Sequence, residues 1–222
     1  MIPIVTIDGP SGTGKGTVAG RLVQRLGWHY LDSGALYRVL GLAAQRRGLD
    51  PEMAQALAAL AADLPVELRD QCVFLNGEDV SDAIRTEAVG NLASRVAVHG
   101  SVREQLLVRQ RAAARPPGLI ADGRDMGTVV FPDAGLKIFL TASAEERAER
   151  RYKQLKQKES DVSLPQLVRD IRERDERDRG RTAAPLKPPP GSLCVDTTVP
   201  TITEVVTRVL AAVKGVFPNS AA

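Results

Sequence analysis

The pattern of apolar and polar positions changes period within the first fifty residues. A short β-branched run, Ile4–Ile7, predicts a buried strand of a parallel sheet. After a polar, glycine-rich break, Val18, Leu22 and Leu26 recur at helical spacing, and Gly27 is suited to end that helix in the left-handed conformation. A second strand and a second helix are predicted at Trp28–Leu31 and Ala35–Gln45. This succession of strands and helices is typical of an α/β fold with a parallel sheet.

The alternation of strands and helices is interrupted after residue 50. Ala54–Ala62 is rich in alanine and leucine and predicts a helix. Short apolar runs then surround the dipeptide Asn76-Gly77, which favours a type I′ hairpin turn because both of its residues tolerate positive φ. Small antiparallel strands are predicted at Val66–Leu68, Cys72–Leu75 and near Val80. Antiparallel strands inside a parallel α/β chain indicate an insertion and not another β-α-β unit.

The α/β pattern resumes in the second half of the chain. Further strands are predicted at Leu119–Ala121, Lys137–Leu140 and Leu193–Val195. Three consecutive prolines make Pro185–Gly191 a loop, because proline cannot continue a helix. A last helix is predicted from Thr201, since Thr201 and Glu204 have the spacing of a capping box.

Composition narrows the class of protein. The 222 residues are 43% hydrophobic and 26% charged, which suits one globular core with a smaller insertion. Cys72 and Cys194 lie far apart in apolar runs, which favours buried free thiols. The first residues lack the features of a secretory signal, and no apolar run approaches the ~20 residues of a membrane span. We therefore expect a cytoplasmic protein that does not bind membranes.

The segment after the first predicted strand has the G-x-x-x-x-G-K pattern of a phosphate-binding P-loop. Its glycines would let backbone N–H groups approach phosphate oxygens, and the N-terminus of the following helix would add partial positive charge. Lys15 is expected to reach the β- and γ-phosphates of ATP. The predicted ATP-binding residues are Gly9, Pro10, Ser11, Gly12, Thr13, Gly14, Lys15, Gly16 and Thr17.

Several positions are candidates for holding Mg²⁺ with ATP. Gly16 replaces the usual Ser or Thr after the P-loop lysine, with Thr17 one place later, so that the direct ligand stays open. This Gly-Lys-Gly-Thr version is common in nucleoside monophosphate kinases. Asp122 ends an apolar strand, as in the Walker B pattern, and is predicted to hold Mg²⁺ through water. Asp8, at the end of the first strand, is the alternative, although its position favours ordering the loop.

Polar residues near two predicted strand ends are candidates for binding the phosphoryl acceptor. Ser33 and Arg38 open the second helix, where Ser33 has the alternative role of a helix cap. Arg124 and Asp125 follow the strand that ends at Asp122. A glycine-flanked Arg-Asp pair is poorly suited to a core, which favours a ligand-binding role at the carboxyl edge of the sheet.

A helix predicted from Leu164 carries a stripe that begins apolar and ends charged. Its apolar residues, such as Ile171, are followed at the same helical spacing by Arg174 and Asp178. Charges in a buried stripe are expected to face a cleft, with Arg181 one turn further if the helix continues. An ordinary ion pair between Arg174 and Asp178 is the alternative. Three more arginines share one face of an earlier helix, where binding and a solvated surface are equally open: Arg147, Arg150 and Arg151.

Together these segments resemble the bacterial cytidylate kinases. The residues that carry the likeness are Ile7–Thr17, Leu31–Arg38, Gly77–Ser81, Ile84–Thr86, Leu119–Pro132 and Arg174–Arg179. The likeness covers about residues 2–213. Many kinases share the P-loop, whereas the stretch from Asp122 to Pro132 is far more specific to this family.

The resemblance implies a P-loop kinase fold: a central parallel sheet flanked by helices, a small α+β acceptor-binding insertion and a lid. The core kinase domain would comprise residues 1–61 and 101–222, the insertion residues 62–100 and the lid about residues 151–165. The implied reaction is transfer of the γ-phosphoryl group of ATP to CMP or dCMP, with Mg²⁺ as cofactor. A monomer without a nucleic acid partner is expected.

The resemblance also implies roles for individual residues. Three arginines would hold the acceptor phosphate and assist catalysis with Lys15: Arg38, Arg124 and Arg181. Four side chains would read the cytosine: Ser33, Ser94, Arg103 and Asp125. The pentose would contact Arg174 and Asp178. The roles of Ser94 and Arg103 rest on the resemblance alone, because nothing in their spacing marks them.

Two other functions stay open. The nearer one is a kinase of the same fold with another acceptor, such as UMP, AMP or a small metabolite, since Asp125 and Arg103 suit cytosine without excluding uracil. The other is a P-loop protein that binds nucleic acid. It is disfavoured because single-stranded nucleic acids are usually bound on aromatic platforms, and aromatic residues make up only 4% of the chain.

Overall fold

The predicted strands and helices are present in the computed structural model, which describes residues 2–69, 72–157 and 162–218. In chain order the strands are β1 (Ile4–Asp8), β2 (His29–Asp32), β3 (Val66–Arg69), β4 (Cys72–Leu75), β5 (Glu78–Asp79), β6 (Leu119–Gly123), β7 (Leu136–Thr141) and β8 (Leu193–Asp196). The helices are α1 (Lys15–Leu26), α2 (Ser33–Arg46), α3 (Ala54–Ala62), α4 (Glu87–Val96), α5 (Gly100–Ala112), α6 (Ala144–Lys156), α7 (Leu164–Gly180) and α8 (Ile202–Val216). The helix predicted at Ala54–Ala62 has those bounds.

Five strands form the central parallel sheet, in the order β2-β6-β1-β7-β8. The middle strand, β1, pairs with β6 on one side and β7 on the other. Its residues Val5 and Ile7 are fully buried, as the β-branched run predicts for a central strand. Most of this sheet, with α1, α6, α7 and α8, lies in a unit formed by the described residues before Asp32 and after Ala112. The predicted α/β class and parallel sheet are confirmed.

A second unit, Asp32–Ala112, contains α2 to α5 and an antiparallel sheet in the order β3-β4-β5. Asn76 and Gly77 connect β4 to β5 with φ values of 52° and 80°. A type I′ turn requires positive φ at both central residues, so the predicted hairpin is confirmed. The role of residues 62–100 as an acceptor-binding insertion stays a prediction.

The ends of α1 set the position of the glycine-rich segment. The helix begins at Lys15, directly after that segment, and ends at Gly27, which has φ 65° and donates its N–H to the carbonyl oxygen of Val23 at 2.9 Å. Val18 and Leu22 are fully buried against the sheet core. The predicted P-loop is therefore held between a buried strand and a buried helix.

The helix α7 begins at the predicted Leu164 but ends at Gly180. Arg181 follows it with extended backbone, φ −60° and ψ 133°, so the helix does not continue through this residue. The predicted lid, about residues 151–165, includes residues 158–161, which lie outside the described residues. No helix within the described ranges is both long and apolar enough to cross a membrane.

The helix α8 begins with the predicted capping box. The hydroxyl of Thr201 accepts the N–H of Glu204 at 3.3 Å, and the carboxylate of Glu204 accepts the N–H of Thr201 at 2.7 Å. The loop before β8, Pro185–Gly191, contains neither helix nor strand, as predicted. The buried Val205 and Val209 attach α8 to the core of the sheet.

We expect Thr201→Ala to lower the free energy of unfolding by about 1 kcal/mol, because it removes the acceptor for an otherwise unpaired helix N–H. Urea denaturation followed by circular dichroism measures the change. Thr203→Ala is the matched control, since Thr203 is exposed on the same first turn but is not the cap. Equal losses in the two variants would contradict the capping role.

Candidate active site

Gly9 and Gly14 give the segment between β1 and α1 its shape. Gly9 has φ 146°, and a Cβ there would lie 2.1 Å from the carbonyl oxygen of Leu140. Gly14 caps α1 with φ 86°, a left-handed conformation that other residues rarely adopt. The helix thus starts with its first N–H groups next to the loop, which is the arrangement that binds phosphate.

Lys15 is buried at the start of α1, and its Nζ donates to the carbonyl oxygen of Pro10 at 2.8 Å. Burial lowers the pKa of Lys15 to about 7. The charges of Arg124 and Arg174 contribute to this lowering of the pKa, while Asp122 and Asp8 oppose it. The buried amine therefore lies within electrostatic range of two guanidinium groups, and an anion bound beside it would favour its charged form.

Asp8, the last residue of β1, orders the segment that follows β6. Its two carboxylate oxygens accept the N–H groups of Met126 and Gly127, each at 2.8 Å. These residues begin a turn of π-helix, Met126–Val130, in which Phe131 donates to the carbonyl oxygen of Met126. Burial raises the pKa of Asp8 to about 7, although both N–H groups favour the ionised form. The loop that Asp8 orders is thus the one that carries Arg124 and Asp125.

Asp122, at the carboxyl end of β6, lies beside the first turn of α1. The hydroxyl of Tyr30 donates to Asp122 Oδ2 at 3.3 Å, and this oxygen would be 3.6 Å from a Cβ at Gly16. Thr17 is exposed on the same turn. Within the described part of the chain, no three His, Cys, Asp or Glu residues form a cluster that could hold a metal.

The charged end of α7 forms a network with the segment after β6. Arg124 Nε donates to Asp178 Oδ2 at 3.1 Å, and Arg181 Nη1 lies 4.0 Å from Asp178 Oδ1. Burial opposes the ionisation of Asp178, but the guanidinium groups of Arg124, Arg174 and Arg181 outweigh it, so the pKa of Asp178 lies below its usual value. Asp178 thus has a partner outside α7, and the network is more than an ion pair along one helix.

Asp125 is buried directly after Arg124. Its carbonyl oxygen accepts the N–H groups of Val129 and Val130, which fixes its backbone in the π-helical turn. Its carboxylate adds to the negative charge that raises the pKa of Asp8. The predicted Arg-Asp pair therefore lies on a segment whose backbone is tightly defined.

The ion pair between Arg147 and Asp175 joins α6, α7 and the P-loop. Both side chains are buried, and Arg147 donates to both carboxylate oxygens of Asp175. Arg147 also donates to the carbonyl oxygen of Ser11 at 3.1 Å, and its Cβ would lie 3.0 Å from a Cβ at Gly12. Sequence reasoning left Arg147 undecided and did not identify Asp175, because 28 residues separate the partners.

The other candidates lie in the second unit. Asp32 caps α2, since its carboxylate accepts the N–H of Ala35 at 3.0 Å, so the capping alternative for Ser33 is wrong. The hydroxyl of Ser33 instead accepts Nε2 of Gln110 at 2.8 Å. Sequence reasoning did not identify Gln110, which has no motif around it and a partner 77 residues away.

Three further candidates lie on helices of the second unit: Arg38, Ser94 and Arg103. Arg38 Nη1 donates to the carbonyl oxygen of Ile84 at 2.7 Å. Arg103 lies over the ring of Tyr37, 5.4 Å from its centroid, which is a cation–π arrangement. Ser94 is buried on α4, a helix that packs against α2. These predicted residues thus lie on α2 or on the helices α4 and α5 of the second unit, while Lys15, Asp122 and the α7 network belong to the first unit.

Comparison with known proteins gives one family. The cytidylate kinase family model matches residues 5–215. The protein named cytidylate kinase in Aeromonas hydrophila is 58% identical over 215 residues, covering 95% of this chain and 94% of its own. Those of Azotobacter vinelandii and Burkholderia ambifaria are 57% and 56% identical, over 213 and 208 residues. They cover 93% and 94% of this chain, and 93% and 91% of their own lengths.

Solved structures share the fold at low identity. A gluconokinase from Sinorhizobium meliloti aligns with a TM-score of 0.51 and 15% identity over 98% of this chain and 94% of its own. An uncharacterised protein from Eubacterium ventriosum aligns with a TM-score of 0.54 and 9% identity over 97% of this chain and 99% of its own. At such identities the likeness concerns the fold alone.

We expect Arg147→Met to lower the free energy of unfolding by about 3–5 kcal/mol, because it leaves the carboxylate of Asp175 buried without its partner. Guanidinium denaturation measures the loss. In the double variant Arg147→Met/Asp175→Leu the loss is expected to be smaller, since no unpaired charge is left.

The matched control is Arg172→Met. Arg172 pairs with Glu145, so that this ion pair also joins α6 to α7, but both side chains are more than half exposed. Its removal is expected to change stability little. Equal losses of stability in Arg147→Met and Arg172→Met would contradict the expectation that burial makes the Arg147–Asp175 pair the more important of the two.

Proposed function

This chain belongs to the cytidylate kinase family, and we propose that it transfers the γ-phosphoryl group of ATP to CMP or dCMP, giving ADP and CDP or dCDP. The observation that carries this reaction class is the position of Lys15, which is buried at the start of α1 directly after the left-handed Gly14. Phosphoryl transfer needs positioning and electrostatic stabilisation more than a protein nucleophile. A lysine at a helix N-terminus, with Arg124 and Arg174 within electrostatic range, supplies both.

The loop between β1 and α1 is the proposed binding site for the phosphates of ATP. Its N–H groups and the N-terminus of α1 would contact phosphate oxygens, and Lys15 would exchange the carbonyl oxygen of Pro10 for the β- and γ-phosphates. An anion at this point raises the pKa of the lysine, because it stabilises the charged form. Binding of ATP is therefore coupled to charging of Lys15.

Mg²⁺ is the proposed cofactor, and Asp122 is the residue that fits it. Asp122 is a carboxylate beside the first turn of α1, where Gly16 leaves space next to Oδ2. We propose that it holds the ion through water, with Thr17 as a further candidate. When bound, Mg²⁺ neutralises charge on the β- and γ-phosphates.

Arginines are the proposed ligands of the acceptor phosphate. Guanidinium groups bind phosphate bidentately, and we assign this role to Arg38, Arg124 and Arg181. An oxygen of the acceptor phosphate attacks the γ-phosphorus in line, and the bond from that phosphorus to the bridging β–γ oxygen breaks, which releases ADP. Asp178 orients Arg124 through its hydrogen bond to Nε. The pentose is assigned to Arg174 and Asp178.

Recognition of cytosine is assigned to four side chains: Ser33, Ser94, Arg103 and Asp125. Cytosine has an amino group at C4, which a carboxylate such as that of Asp125 can accept, and acceptors at N3 and O2, which hydroxyl and guanidinium groups can satisfy. Uracil has a carbonyl at C4, which cannot donate a hydrogen bond to the carboxylate as the cytosine amino group does. A site built in this way rejects a base that lacks the matching group.

The oligomeric state and the location of the enzyme stay predictions: a monomer in the cytoplasm.

The substrate assignment is tested by offering CMP, dCMP, UMP, AMP and GMP singly with ATP and Mg²⁺ and measuring ADP. We expect strong turnover with CMP and dCMP and little with the purine nucleotides.

Lys15→Met is expected to lower kcat by about 10²–10³-fold while leaving the fold intact, because charge stabilisation at the transferred phosphoryl group is lost. Activity confined to AMP, or near-normal turnover in the Lys15 variant, would contradict the assignment.

Binding of ATP is expected to take up protons between pH 7 and 9. The pKa of Lys15 is about 7 in the free protein, so the amine is mostly neutral above that pH and gains a proton when phosphate raises its pKa. Uptake should approach one proton per ATP near pH 8.5 and vanish near pH 6, where the lysine is already charged. Titration calorimetry in buffers of different ionisation enthalpy measures it. Uptake that persists in Lys15→Met would assign the proton to another group.

A further inference from the structure

We propose that Gln110 is a positioning residue that fixes the hydroxyl of Ser33 for recognition of the pyrimidine base. The proposal rests on the proposed function, in which Ser33 contacts the base. It adds a specificity-determining residue that carries no motif and that sequence reasoning did not identify.

The burial of Gln110 requires an explanation. It lies near the end of α5 with 2% of its surface exposed, among the largest fully buried side chains of the described residues. Burying a primary amide is unfavourable unless its polar atoms are hydrogen-bonded. Its Nε2 donates to Ser33 Oγ, and Ser33 is itself only 3% exposed. The buried amide of Gln110 therefore has a hydrogen-bond partner in the equally buried hydroxyl of Ser33.

The contact determines what the Ser33 hydroxyl can offer. A serine hydroxyl has one O–H donor and two acceptor lone pairs, and here one lone pair accepts Gln110. Serine at a helix start often turns to cap the backbone, but Asp32 already caps α2. The hydroxyl of Ser33 is thus held in place by a side chain, and its proton is directed away from Gln110.

A second side-chain contact, between Arg103 and Tyr37, also joins α5 to α2. Arg103 and Gln110 are seven residues apart on α5, about two turns along one face. Ser33 and Tyr37 are four residues apart on α2, again on one face. Because Arg103 lies over the Tyr37 ring and Gln110 donates to Ser33, two of the proposed base-reading residues, Arg103 and Ser33, each contact a partner on the opposite helix.

The chemistry of this arrangement favours one pyrimidine over the other. A hydroxyl proton and a guanidinium group, each held in one direction, are donors that match the acceptors of a pyrimidine ring. Cytosine has an acceptor at N3, where uracil has an N–H donor. Loosening the Ser33 hydroxyl is therefore expected to weaken discrimination between CMP and UMP more than it weakens turnover itself.

The test is a double-mutant cycle on the ratio of kcat/KM for CMP to kcat/KM for UMP. We expect Gln110→Met, which keeps the length of the side chain, to lower this ratio about fivefold, the effect of one neutral hydrogen bond. The loss should appear mainly in KM for CMP, with KM for ATP unchanged. In the Ser33→Ala background, Gln110→Met should have no further effect on the ratio, because Gln110 acts through Ser33.

The readout separates positioning from a structural role. Both rates come from one preparation, so a smaller folded fraction cancels from the ratio. Gln105→Met, an exposed glutamine on the same helix, is the matched control and should leave the ratio unchanged. An unchanged ratio in Gln110→Met would overturn the proposal. So would a result in which Gln110→Met lowers the ratio as much in the Ser33→Ala background as in the wild-type enzyme. Failure of the proposed function would be seen separately, as absence of CMP turnover in the wild-type enzyme.

Discussion

The burial of Lys15 within electrostatic range of two arginines is the constraint on which the rest of the site depends. Lys15, Arg124 and Arg174 are close enough for the arginines to lower the pKa of the lysine, and Asp122 offsets the effect only in part. Such a cluster is unfavourable without an anion, because burial already penalises each charge. The fold must therefore hold the cations in place by other means until a phosphate arrives.

Two aspartates, Asp175 and Asp178, hold arginines of this region in place in different ways. Asp175 forms a closed, bidentate pair with Arg147, whose remaining donors bind backbone carbonyl oxygens, including that of Ser11 in the P-loop. This pair serves as scaffold. Asp178 is instead shared between Arg124 and Arg181, and the pKa of Asp178 is lowered by three arginines at once. A carboxylate shared in this way orients its arginines without neutralising them, so they keep positive charge for a substrate.

The sequence predicted those parts of the molecule that depend on local pattern. The strands, the Asn76-Gly77 turn, the P-loop and the charged end of the α7 stripe all follow from spacing within one element. Contacts between distant segments could not be predicted, because no spacing encodes them, and Asp175 and Gln110 were missed for that reason. The cap of α2 is a different case. Asp32 and Ser33 are both good capping residues, and only the backbone conformation decides that Asp32 is the cap.

The arginines near Lys15 also bear on how the proposed reaction is accelerated. Each phosphate that arrives relieves repulsion among the cations, but two phosphates side by side repel each other. In the transition state of phosphoryl transfer the two nucleotides share the transferred group, and its charge lies between them. In the proposed mechanism Lys15 and Arg124 lie next to the transferred group, where this charge develops. Because only interactions that strengthen in the transition state raise kcat, rigid placement of these two cations would contribute more to the rate than tight binding of either nucleotide.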